Sequence, residues 1–262
     1  MDIQSYISRI GLSQPPEPTL KGLEQLMKAH LYSVPFENID VVTGRYIDLN
    51  TDQFYEKIVQ RKRGGFCYEL NGLFNLLLSQ LGYKVDLIAA TVKQKNGTWT
   101  YPNSHATNVV YLERPYLVDV GFGDSFIKPI PINGKTHRDA SGLYRIKKAE
   151  NGLDLQRYEG YWRTQYRFTL SPFTYEEFYE AAHYTQTSTE SLFTNGLIVT
   201  KRLMDGRVTI TDKDITVTRN RSRTRRLLHH HDEILNMIEN YTHIPKHELH
   251  NISSSTHMSK EG

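Results

Sequence analysis

Across 262 residues there is no apolar run long enough to cross a bilayer, which takes about 20 consecutive apolar residues, and the chain does not open on a basic start followed by an apolar stretch. The expectation is a cytoplasmic protein without a membrane partner. Charge of one sign is also scarce. The formal net charge of +3 is too small to argue for nucleic acid, though it suits an anionic small molecule. Cysteine is scarcest of all, with Cys67 the single example. One thiol cannot close an internal disulfide or build a thiolate metal site, and it fits a reducing compartment.

What a lone cysteine can do is act as a nucleophile, provided a base stands near it. Cys67 lies in Arg63-Gly64-Gly65-Phe66-Cys67-Tyr68-Glu69. The glycines there offer backbone angles barred to other residues and close approach by a substrate. Leu70, Leu73, Phe74 and Leu77 recur at helical intervals, predicting a helix from Glu69 to Leu81 that Gly82 stops. Cys67 then falls at a helix N-terminus, where free amides and the macrodipole favour a thiolate. Spacing alone leaves two readings open, a nucleophile and a buried structural cysteine.

Two further segments favour the nucleophile. His105 opens a run rich in β-branched residues, and Asp119 sits between two valines at the end of a second such run. A buried aspartate needs a partner. Joined through Glu113-Arg114-Pro115, the two runs predict a hairpin. That pairing makes His105 and Asp119 neighbours, and Cys67, His105 and Asp119 together form a Cys-His-Asp constellation of the papain-like kind.

The segments Arg63 to Cys67, His105, and Val118-Asp119-Val120-Gly121-Phe122-Gly123 resemble the arylamine N-acetyltransferases. So does the stretch from Tyr6 to Asp40, with Arg9-Ile10-Gly11-Leu12, Pro18-Thr19-Leu20, His30 and Val34-Pro35-Phe36-Glu37-Asn38-Ile39-Asp40. The likeness continues more weakly through Ser191 to Asn195 and Asp205 to Thr209. It implies transfer of an acetyl group from acetyl-CoA, used as a substrate with no metal, to an arylamine, arylhydroxylamine or arylhydrazine. It also implies that Cys67 is the acyl acceptor, His105 the base and Asp119 the third member. Phe36, Phe66, Val92, Phe122 and Phe193 are the candidate wall of the acceptor pocket, with Phe193 over the cleft. Gly123, Thr194, Asn195 and Gly196 are candidate CoA contacts. Thr107 and Asn108 depart from the family, whose strand is more apolar there, and this bears on the lining near His105. A thiol hydrolase, an amide-forming acyltransferase with another donor, and an inactive binder of aromatic ligands or CoA stay open. The expected assembly is a monomer or weak homo-oligomer.

The predicted fold class is α+β: a helical N-terminal domain (1–82), a central antiparallel barrel-like β domain (83–172) and a C-terminal α/β lid (173–262). Thr19 is the expected cap of a helix through Leu20, Leu23, Leu26, Met27 and Leu31, ended by Pro35, and Asp52 the start of another through Phe54, Ile58 and Val59. Later strands are expected at Leu197–Leu203, Val208–Ile210 and Ile215–Thr218, and a last helix from His230 to Tyr241. His229-His230-His231 cannot converge on one metal from a single helix, so a solvated helix start is preferred. The arginines at 219, 221, 223, 225 and 226 lack interleaved aromatics for stacking on bases, so a solvated edge strand is preferred, with a share in holding CoA phosphates as the other reading. Glu37 and Arg63 are either a partly buried pair holding the cysteine loop or ordinary surface charges. The tail from Asn251 is expected to be mobile.

Overall fold

The computed structural model describes residues 1–220, 222–249 and 252; Arg221 and nearly all of the tail from Asn251 lie outside the described residues. The chain begins with α1 (Ile3–Arg9), α2 (Leu20–Ser33), the two-residue strand β1 (Phe36–Glu37), α3 (Ile39–Val42) and α4 (Thr51–Tyr55). A π-helical stretch (Glu56–Gln60) extends α4, and α5 (Cys67–Gln80) follows. Helix α2 begins as its sequence predicts, with the Thr19 side chain accepting the Gly22 amide. It ends where Val34, preceding proline, turns extended. Two starts differ from expectation. Asn50, not Asp52, caps α4 by accepting the Asp52 and Gln53 amides. Helix α5 starts two residues early, because the Glu69 carboxylate reaches back to the Phe66 amide and allows Cys67 into the first turn.

A run of strands comes next: β2 (Lys84–Val92), β3 (His105–Tyr111), β4 (Pro115–Val118), β5 (Ile130–Pro131), β6 (His137–Asp139), β7 (Gly142–Ala149), β8 (Gly152–Tyr158) and β9 (Trp162–Pro172). They form one antiparallel sheet in the order β5-β4-β3-β2-β9-β8-β7-β6, which curls until β5 approaches β7. The result is a nearly closed barrel in an α+β fold. Strand β3 is buried on both faces except at its last residue, because α5 covers it while β2 and β4 flank it. Its successive Val109 and Val110 are therefore both fully buried.

The remaining elements are α6 (Tyr175–Thr187), β10 (Ile198–Leu203), β11 (Gly206–Thr211), β12 (Asp214–Arg219), β13 (Ser222–Leu227) and α7 (His231–Thr242). Strand β1 joins them, giving a second antiparallel sheet in the order β1-β10-β11-β12-β13. Its own apolar core draws on Val199, Val208, Ile210, Ile234 and Ile238. Arg223, Arg225 and Arg226 lie on β13, an exposed edge strand, as their solvated pattern predicts, whereas Arg219, also exposed, ends the inner strand β12, contrary to the edge-strand expectation. His230 immediately precedes α7, so the histidine run does open a helix.

Candidate active site

Three elements build the site. The N-terminus of α5 carries Cys67, the first residue of β3 is His105, and Asp119 directly follows β4. Antiparallel pairing of β3 with β4, Asn108 opposite Val118, puts the start of one beside the end of the other. His105 Nε2 and Asp119 Oδ2 are 2.7 Å apart. The Cys67 thiol lines the same cleft as the imidazole and is one of the groups that raise it. The thiol also lies 3.8 Å from the Ser104 carbonyl oxygen. All three side chains are buried.

Asp119 is held from several sides. Tyr166 donates its hydroxyl to Oδ2 at 3.0 Å, while Asn71 Nδ2 and the Gly121 amide each donate to Oδ1 at 2.9 Å. Burial alone would raise this carboxyl; His105, Asn71 and the Gly121 amide hold it below the usual carboxylate range. For His105, burial would depress the imidazole, but the Asp119 carboxylate outweighs it and lifts the group to about 10. Asn71 is a hub. It also donates to the Ala106 carbonyl at 2.7 Å, and its Oδ1 accepts the Val120 amide at 2.9 Å. Gly121 is required by space, since a Cβ there would meet Asn71 Nδ2 at 2.7 Å and Cys67 Cα at 2.9 Å.

Beneath the cysteine loop lies a buried charge network. Arg63 donates twice to Glu37 Oε1, at 2.7 and 3.0 Å, and once to Asp40 at 3.1 Å. Lys57, delivered inward by the π-helical stretch, bonds Asp40 and Glu69, each at 2.8 Å. Of the two readings for Glu37 and Arg63, the buried pair is therefore the observed one. Burial pushes Glu69 up to about 7 despite Lys57 beside it. Gly64 and Gly65 keep ordinary negative-side backbone angles, contrary to expectation. What demands glycine is crowding: a Cβ on Gly64 would meet the Pro35 carbonyl at 2.1 Å, and one on Gly65 the Glu69 carboxylate at 2.7 Å.

Cys67 and His105 open onto a cleft of about 810 Å³, and Phe36, Val92, Phe122 and Phe193 line it. Phe122 stands edge-on to His105 at 5.3 Å, and the Phe36 and Phe193 rings are 5.8 Å apart. Phe66 is not brought there; it is fully buried against Tyr68. Asn195 and Gly196 line the cleft, whereas Gly123 and Thr194 do not. Gly123 packs under the Phe36 ring, and the Thr194 hydroxyl donates to the Ser188 and Ser191 carbonyls. Thr107 and Asn108 also face away from the cleft, contrary to the expectation that they bear on its lining. Thr107 donates to the Val118 carbonyl and Asn108 to the Asn71 carbonyl, so both brace the scaffold. The sequence reading missed Asn71, Tyr166 and Lys57. It also missed the cleft's aromatic mouth, where Tyr101 stacks on Tyr184 at 4.4 Å and Trp99 is flanked by Lys93 and Arg167.

This arrangement agrees with comparisons across known proteins. The sequence model of the N-acetyltransferase family matches residues 19–247. The arylamine N-acetyltransferase of Mycolicibacterium smegmatis is 32% identical over 84% of this chain and 83% of its own. The solved structure of Mycobacterium marinum arylamine N-acetyltransferase in complex with CoA superposes with a TM-score of 0.88 at 28% identity, covering 95% of this chain and 94% of that one. A Bacillus cereus arylamine N-acetyltransferase, described as having a Cys-His-Glu catalytic triad, superposes at 0.87 with 26% identity over 92% of this chain and 98% of that one. With its family match spanning most of its length and its relatives agreeing in both sequence and fold, the chain belongs to the arylamine N-acetyltransferases and is an acetyltransferase.

Proposed function

We propose that this enzyme moves an acetyl group from acetyl-CoA to an arylamine, arylhydroxylamine or arylhydrazine through a thioester on Cys67. The observation that carries the reading is the buried line Cys67, His105 and Asp119 at the floor of an aromatic-walled cleft, with 2.7 Å between the last two. CoA as the donor product is supported by the M. marinum relative solved with CoA.

In the first half-reaction the imidazole nitrogen facing the thiol takes its proton, and Asp119 steadies the imidazolium. A His105 lifted to about 10 suits such an ion pair. The thiolate attacks the thioester carbonyl. First-turn amides of α5, which lack intrahelical acceptors, are the candidate donors to the resulting oxyanion. As the intermediate collapses, the C–S bond to CoA breaks and His105 returns its proton to the leaving thiolate. In the second half the amine attacks acetyl-Cys67, His105 removes the amine proton, and the freed Cys67 is restored. Phe36, Val92, Phe122 and Phe193 exclude water, so the amine outcompetes hydrolysis. Asn195 and Gly196 are the proposed CoA contacts at the cleft wall. The expected setting is the cytoplasm.

Intact-mass spectrometry tests this directly. Brief mixing with acetyl-CoA should add one acetyl group on Cys67, and 4-aminobenzoate should remove it as the acetylated amine. No gain on a free, reduced thiol sinks the donor assignment. A gain that decays equally fast without amine points instead to a thiol hydrolase.

A further inference from the structure

A second cavity, of about 620 Å³, opens at the other end of the strands that border the thiol cleft. The cleft touches Ile198 and Thr211, where β10 and β11 begin and end, whereas the second cavity touches Leu203 and Gly206 at their connecting turn. Five residue steps along β10 separate the two, about 16 Å along the sheet. Arg157, Arg202 and Arg207 contribute to its wall, from β8, β10 and β11. Asp124 lies among them, 3.1 Å from Arg157 and in contact with Arg207, while Arg202 approaches only to 3.9 Å and donates to the Ser125 carbonyl at 2.8 Å. Asp205, the other described carboxylate on the wall, is paired to Arg219 at 3.7 Å. Asp139 and Arg223, one of each sign, stand just beyond.

Three guanidiniums therefore share one carboxylate, which leaves two positive charges uncompensated. The network around Arg63 has the opposite balance. There, burial opposes the charge but Glu37 and Asp40 overcome it and push the guanidinium up; at Arg202 and Arg207, burial wins and holds both below their usual range. Partly buried cations in this state favour an added anion. Guanidinium forks match phosphoryl oxygens in number and planarity.

We infer that this cavity is a second ligand site, separate from the thiol cleft, which takes a phosphoryl dianion between Arg157, Arg202 and Arg207. A dianion completes the neutralisation that Asp124 begins. The site is not remote from the chemistry in sequence: Asp124 is two residues beyond Phe122, whose ring stands against His105. The phosphoryl group could be inorganic phosphate or a nucleotide monophosphate, since the arginines read only the shared group.

Calorimetric titration of the acetyl-free protein with inorganic phosphate, against potassium chloride of matched ionic strength, provides the test. Saturable one-to-one binding is expected. It should weaken about tenfold or more in Arg157→Gln and in Arg202→Gln, the scale of one lost charge-assisted hydrogen bond. Arg207→Lys, which keeps the charge but not the fork, guards against a folding artefact, and it should weaken binding while leaving the circular dichroism melt intact. Arg114→Gln, on the β3–β4 turn, should bind as the parent does. Adenosine monophosphate binding tighter than phosphate identifies a nucleotide as the source; equal binding identifies the bare phosphoryl group. No saturable binding beyond the chloride control overturns the inference. So does binding that survives unchanged in all three cavity variants, because the anion then sits elsewhere.

Discussion

Asn71 shows how much of the site's geometry rests on a side chain that takes no part in bond making. One amide group ties Asp119 to the start of β3 and also accepts the Val120 amide. Asn71→Ala leaves that buried amide without its acceptor and should cost ~1–3 kcal/mol in urea unfolding. It should also slow iodoacetamide capture of Cys67; an unchanged midpoint and unchanged capture would remove Asn71 from the scaffold. The His105–Asp119 pair has a pH signature of its own. His105 is raised from 6.5 to about 10, so its contribution to stability is full below pH 6.5 and is lost as pH rises through about 10. His105→Gln should flatten the stability profile across that window, and a parallel profile would contradict the assigned imidazolium. Neither Asn71 nor Tyr166 was legible beforehand. An asparagine within a helix and a tyrosine within a strand are ordinary, and what they bond lies 48 and 47 positions away in the chain.

The N-terminal half of α5 depends on the charges packed under it. Glu69 accepts the Phe66 amide, holds Lys57, and is raised by burial from 4.5 to about 7. A carboxyl raised in the folded state contributes stability that is full below pH 4.5 and lost as pH climbs through about 7. Glu69→Gln keeps an acceptor for Phe66 and should flatten stability between those limits; a steeper dependence in the variant would refute this sign. Lys57→Met strands Asp40 and Glu69 opposite each other without their shared cation, and should cost ~3–5 kcal/mol by chemical denaturation. A loss near zero would mean the network is solvated. At this scale the sequence was informative where periodicity or pairing is local. The hydrophobic spacing of α5, the cap of α2 and the β3–β4 hairpin could all be read from adjacent residues. Lys57 could not, because a lysine on an amphipathic helix normally faces water, and only the π-helical stretch turns it inward. Strand β1, two residues long, is too short for any alternation to register.

That short strand joins the parts of the molecule. Phe36 pairs with Thr200 of β10, and the next residue's amide bonds the Gly65 carbonyl at 2.9 Å, so β1 is clasped between the second sheet and the cysteine loop. Beside it, Asn38 donates to the Phe193 and Gly196 carbonyls at 2.8 Å and accepts the Ile198 amide. Asn38→Ala should expose the segment between Ser188 and Ile198 to proteases and blunt acetyl transfer more than it lowers global stability. Limited proteolysis with peptide mapping reads the first effect, and a digestion pattern identical to the parent's would show that Asn38 does not hold that wall. The family motif Val34 to Asp40 was visible in the sequence, but its partner strand was not, because the contacts join residues 155 positions apart. This has a consequence during synthesis. A ribosome completes the helix bearing Cys67 well before it makes the strand that braces the loop ahead of it. A nascent chain that stops short of β10 therefore holds every residue of the proposed triad but lacks the clasp that orders them, and its acetylation should begin only once the strands of the second sheet have left the exit tunnel.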